Sequence, residues 1–231
     1  MQQIDLVFLW HMHQPDYRDH GAAGAPEFVL PWVYLHALKD YSDMAAHLER
    51  YPEVRAVVNF VPVLAEQIED YAQQFVSGEF RDPLLRLLAT PAGTPLGIED
   101  KRKILDACFL ANHATMLDPF PDYQRLHTLF GSLGNPSCTD PILDYLSDGY
   151  YLDLITWYHL AWSGESERRA VPLLQELIAK GKCFTPADRA ALMEWMGNTL
   201  RNLLPRYAAL AARGQIELSC TPQTHPLAPL L

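Results

Sequence analysis

The sequence predicts an α/β fold built on parallel strands. Three stretches carry the prediction: "IDLVFLW" at 4–10, "VRAVVNFV" at 54–61 and "GQIELSC" at 214–220. The first two are short, nearly continuous apolar runs, which suit strands buried on both faces of a parallel sheet. Between them, "WVYLHALKDYSDMAAHLERY" at 32–51 puts Leu35, Leu38, Tyr41, Ala45 and Leu48 on one face of a helix. Strand, helix and strand within the first 61 residues make a βαβ unit.

Each later element has its own signal. Pro52 ends the first helix. After Pro62 the pattern turns helical, with Leu64, Ile68, Tyr71 and Phe75 in register and Gly78 just past the end. "DPLLRLLA" predicts a short helix and 98–117 a longer one. A Pro-, Gly- and Ser-rich loop is expected over 131–141, then helices over 151–162 and 170–181. "TPADRAALMEWMGNTLRNLL" opens with Thr185 as N-cap, Pro186 at the first helical position and Asp188 three residues on. Gly214 closes that helix, and the alternation of Ile216 and Leu218 marks the third strand. The expected organisation is therefore a first βαβ over 1–61, a helical insert over 62–213, and a third strand with its following loop over 214–231.

Composition narrows the function. The 231 residues are 49% apolar, enough for a sizeable core, and carry a formal net charge of −10. That balance argues against a nucleic-acid binder, which needs basic surface to neutralise phosphates, and against an anionic-membrane binder. No apolar run approaches the roughly 20 residues that cross a bilayer. The N-terminus lacks a basic leader, so a cytoplasmic protein without a signal peptide is expected. Cys108, Cys138, Cys183 and Cys220 form no CxxC pair and are expected as free thiols.

In parallel α/β sheets, ligands bind beyond the carboxyl ends of the strands. His11 and His13 follow the first strand there, two residues apart and so on one side of extended backbone. Asn59 closes the second strand; Glu217 and Thr221 come near the end of the third. Imidazoles, a carboxylate and an aromatic face such as Trp32 suit a neutral sugar. A single histidine is more often a packed or surface residue, but a pair at a strand end is less easily explained so. H-x-H with Glu217 or His225 could also hold zinc, a pattern common without metal. Trp157, Tyr158 and Trp162 on one helix read as core packing. No dinucleotide glycine fingerprint, P-loop or nucleophile elbow occurs.

"HMHQP", the stretch from "LPWVYLHALKDY" through "NFVPVL", and "GQIELSCTPQTHPLAPLL" together resemble glycoside hydrolase family 57. The resemblance implies a retaining enzyme acting on α-glucans, an α-amylase, 4-α-glucanotransferase or branching enzyme, on a (β/α)7-type barrel. The barrel expected here is incomplete: parallel strands with the all-helical insert between strand 2 and strand 3. His11, His13, Trp32, Glu217 and His225 would line the subsite holding the reacting sugar. None of them would be the nucleophile or the general acid, which lie on later strands in the family, so no catalytic residue and no cofactor is expected within the chain. Retaining hydrolysis needs two carboxyl groups about 5–5.5 Å apart, and the chain alone is expected to be inactive. Its expected partners are an α-glucan or maltooligosaccharide and the C-terminal part of the barrel. A non-catalytic carbohydrate-binding relic and a metal-dependent hydrolase using the H-x-H pair remain as alternatives.

Overall fold

The computed structural model describes residues 6–21, 24–133, 143 and 145–225. It is mixed α/β and mostly helical, with one parallel three-stranded sheet. The chain forms two compact units: residues 1–79, 164–166 and 196–231, and residues 80–163 and 167–195.

The first unit holds the sheet. Strands β1 (Leu9–Met12), β4 (Ala56–Phe60) and β5 (Ile216–Ser219) lie in the order β1-β4-β5, all parallel. A two-residue pair, β2 (Arg18–Asp19) and β3 (Glu27–Phe28), runs antiparallel in the connection after β1; the sequence carried no signal for it. Helix α1 (Trp32–His36) continues through a π-helical turn (Ala37–Tyr41) into α2 (Ser42–Arg50), so the expected helix is present with one wide turn in it. Helix α3 (Pro62–Ser77) starts with Pro62 in its first turn, where the missing N–H is not needed. It ends at Gly78, whose φ of 75° is left-handed and suits glycine. Val33, Tyr34, Leu35, Leu38, Val58, Leu64, Ile68 and Tyr71 form the core on this side of the sheet. Tyr71 packs between Phe28 and Tyr34, with ring centroids 4.1 and 5.2 Å away.

Strand β1 differs from its sequence expectation in extent and burial. It begins at Leu9, so His11 lies within the strand; part of the expected stretch, 4–5, lies outside the described residues. It is not buried on both faces: Leu9 is well exposed, as are Leu6 and Val7 in the stretch before the strand. The physical reason is position. β1 is an edge strand, bonded only to β4, and the sheet face opposite the helices is open among the described residues.

The second unit is helical: α4 (Pro83–Leu88), α5 (Ile98–Cys108), a π-helical turn (His113–Leu117), α6 (Pro121–Ser132), α7 (Asp148–Ala161) and α9 (Pro172–Lys180). Helix α8 (Glu165–Ala170) and the long α10 (Pro186–Ala212) have residues in both units. The expected helix over 98–117 breaks at 109–112, where Asn112 accepts from Thr115 N–H and starts a new turn. The expected helix over 170–181 begins instead at Pro172. Helix α6 was not anticipated, and most of the expected 131–141 loop lies outside the described residues. Helix α7 is apolar on nearly every side and therefore central, with α4, α5 and α6 packed on it. Trp157 is buried among Phe120, Tyr123 and Phe184 and donates its indole N–H to Gly181 O at 2.7 Å. Tyr158 and Trp162 are buried with it, as core packing requires. The cap at Thr185 takes the expected form: Asp188 N–H donates to Thr185 Oγ1, and Thr185 N–H donates to Asp188 Oδ2.

Candidate functional site

The parallel register aligns His11, Asn59 and Ser219 across the three strands at their carboxyl ends. Their side chains share the open face of the sheet. His11 Nδ1 lies 2.8 Å from Asn59 Oδ1, and Asn59 Nδ2 donates to Ser219 Oγ at 3.1 Å. With its amide nitrogen directed at Ser219, Asn59 presents only an acceptor to His11. The His11 proton therefore sits on Nδ1 in the neutral ring, and Nε2 keeps its lone pair for a ligand.

Two more imidazoles arrive beside it. His13 follows β1 directly. His225 comes from the loop after β5, held by a turn in which its N–H donates to Pro222 O at 2.9 Å, with φ of 56°. That loop is tied to α3: Val63 N–H donates to Gln223 O, and Gln223 Nε2 donates to Glu66 Oε1 at 2.6 Å. The ring centroids of His11, His13 and His225 stand 5.9, 4.6 and 5.1 Å apart, pairwise. His13 is pushed below its ordinary pKa by burial, and then by His225 and His11, so its ring is neutral at pH 7. Among the described residues, neither His13 Nδ1 nor Thr221 Oγ1 has a hydrogen-bond partner, although both atoms are buried.

The loop after β1 is fixed from behind. Gln67, fully buried on α3, accepts from Tyr17 N–H at 2.9 Å and donates to Pro15 O at 2.9 Å. Gln14 accepts from Tyr17 OH and lies 3.4 Å from Tyr41 OH, on the π-helical turn. Ser219 and Gln67 were missed from the sequence, because strand register and helix rotation decide their roles. The amide of Gln14, just past the end of β1, was the one available hint.

The other expected site residues stand differently. Glu217 shares the open face but lies one register row below, opposite Val57, and is exposed. It lines a small cleft of about 220 Å³ with Arg55 and Gln215 at the amino ends of the strands. Trp32, half-buried at the start of α1, has His36 as its ring neighbour at 6.3 Å. Among the described residues no group of three or more His, Cys, Asp or Glu side chains is placed to hold a metal ion, so the zinc reading gains no support. Cys108, Cys183 and Cys220 are free thiols; Cys138 lies outside the described residues. No helix among the described residues is long and apolar enough to cross a membrane.

Side chains from three separate segments meet at the carboxyl ends of the parallel strands of this α/β protein, the place where such sheets bind ligands. The family model described as glycosyl hydrolase family 57 matches residues 7–231, and the chain belongs to that family of glycoside hydrolases. Comparisons with curated proteins and with solved structures give no match.

Proposed function

We propose that the chain supplies sugar-subsite residues to a retaining glycoside hydrolase or transglycosylase acting on α-glucans. One observation carries the reading: three imidazoles stand within 5.9 Å of one another at the strand ends, backed by a hydrogen-bonded asparagine. Neutral imidazoles each offer one donor and one acceptor, which matches vicinal sugar hydroxyls without a charge. In this reading His11, His13 and His225 hold one glucose unit. Trp32 and Glu217 extend the subsite, Glu217 accepting from a hydroxyl farther down the sheet face.

The nucleophile and general acid are assigned to strands that pair beyond those described. The support is physical: β1 and β5 are both edges, with exposed Leu9 and Leu218 upon them. Edge strands with apolar exposed faces call for further pairing. The (β/α)7 barrel of the family would provide it. The chain by itself is then a binder rather than a catalyst.

The test is calorimetric titration of the 231-residue chain with maltoheptaose, with an amylose hydrolysis assay alongside. Saturable binding, weakened about tenfold by His13→Ala, is expected, with hydrolysis at background. Turnover by the chain alone would overturn the assignment of the carboxylates, and absence of binding would overturn the subsite.

A further inference from the structure

The helical unit buries a cation without a counter-charge. Arg189, in the first turns of α10, is 3% exposed. Its Nη1 donates to Leu88 O at 2.7 Å, and this is the guanidinium's one hydrogen bond among the described residues. Nε is buried and unpartnered. No carboxylate pairs with the side chain among the described residues. Burial without an anion disfavours the charged form and lowers the Arg189 pKa below its ordinary value. An unpaired buried charge is costly, and native proteins seldom keep one without a purpose.

Arg189 lines a cleft of about 340 Å³. The cleft is walled by the turn 91–95, with Thr94 among its residues, and by Phe184, Pro186 and Asp148. Its size suits a small organic molecule rather than a bare ion. Asp148 is the one acidic group on the wall, and its charge is already engaged: it accepts from Leu96 N–H and lies 3.7 Å from Lys101 Nζ. Arg189 is thus the cleft's unmatched charge. With Nη1 committed to Leu88 and Nε shut off from solvent, Nη2 is the guanidinium nitrogen left to donate to an anionic oxygen such as that of a carboxylate or phosphate.

We propose that this cleft binds a small oxyanion-bearing molecule, a phosphate ester or a carboxylate, through Nη2 of Arg189. None of the strand-end residues takes part, so the site would bind a second ligand chemically unlike a neutral sugar.

The experiment uses the full chain and measures thermal unfolding and calorimetric binding with inorganic phosphate, glucose-6-phosphate and acetate, each against chloride at equal ionic strength. A saturable rise in the unfolding midpoint is expected with at least one of them. Tighter binding of glucose-6-phosphate than of phosphate assigns an organic phosphate; equal binding assigns the oxyanion group alone; preference for acetate assigns a carboxylate. In Arg189→Met the rise should vanish. Should that variant fail to fold, Asp148→Asn decides. It keeps the shape and the acceptor for Leu96 N–H while removing the like charge from the wall, and should tighten binding about threefold. No saturable binding by the parent chain, binding retained in Arg189→Met, or unchanged affinity in Asp148→Asn would each overturn the proposal.

Discussion

Asn59 is the residue through which strand register reaches the chemistry, and Asn59→Leu isolates its contribution. The side chain is 7% exposed and makes two hydrogen bonds, to His11 at 2.8 Å and Ser219 at 3.1 Å. Leucine has the same branching and number of side-chain heavy atoms, so the shape is kept while both bonds are lost. His11 is exposed and Ser219 half-buried, so water can replace what each loses. The stability cost should therefore stay near the net value of two ordinary bonds, about 1–2 kcal/mol. The larger consequence is local. One such bond, about 1 kcal/mol, holds the His11 proton on Nδ1, and its loss shifts the tautomer ratio about fivefold toward the Nε2–H form that a free imidazole prefers in water. That form presents a donor where the parent presents an acceptor. Imidazole nitrogen shifts in long-range proton–nitrogen NMR, recorded where the ring is neutral, read the tautomer directly and need no substrate. The parent should show His11 as the Nδ1–H tautomer and Asn59→Leu a mixture tilted to Nε2–H. Identical spectra would refute the claim that register sets the proton.

Two further outcomes follow from buried polar groups away from the carboxyl ends of the strands. His159 is fully buried, and burial outweighs its bond to Ile155 O to bring its pKa from 6.5 down to about 4. Its folded form resists protonation, so its stabilising contribution is complete above pH 6.5 and is lost as pH falls from there to about 4; the gap is worth about 3 kcal/mol. His159→Gln should flatten the pH dependence of tryptophan-detected unfolding over that window, and a parallel pair of curves would refute it. Gln215, 4% exposed, donates to Leu48 O, Tyr51 O and Val54 O and so joins the start of β5 to the end of α2. Gln215→Leu strands those carbonyls and should cost about 2–3 kcal/mol in denaturant unfolding; a loss below 1 kcal/mol would show that water takes over.

The parts of the fold that local chemistry decides were legible in the sequence. Gly78 and the Thr185–Pro186–Asp188 cap stand where expected because φ sign and orphan N–H groups are properties of one or two residues. The run at 54–61 reads as a strand because β4 is central and flanked on both sides. The same pattern at 4–10 misled, since an apolar run does not say whether a neighbour exists to cover it. The break at Asn112 was hidden in a sequence whose periodicity continues across it. At the site, chain position pointed to His11 and His13. That Asn59 rather than Glu217 stands level with His11 is a matter of register, set by backbone pairing between strands up to 160 positions apart.

The role of Glu217 is the point on which register and residue type disagree, and it can be tested separately from the histidines. Its carboxylate belongs to the row Leu9, Val57, Glu217, below the polar row His11, Asn59, Ser219. A charge in an otherwise apolar row is well placed only if water or a ligand reaches it. In the chain alone it is exposed, so Glu217→Leu should change stability by less than about 0.5 kcal/mol. If a sugar spans both rows, the same substitution removes an acceptor and should weaken maltoheptaose binding about ten- to a hundredfold, since a hydrogen bond to a charged acceptor contributes about 1.5–3 kcal/mol. Glu217→Gln, which keeps an acceptor without the charge, should fall between. If both variants bind as the parent does, the ligand stops at the histidine row, and the carboxylate's place is in the lower cleft beside Arg55.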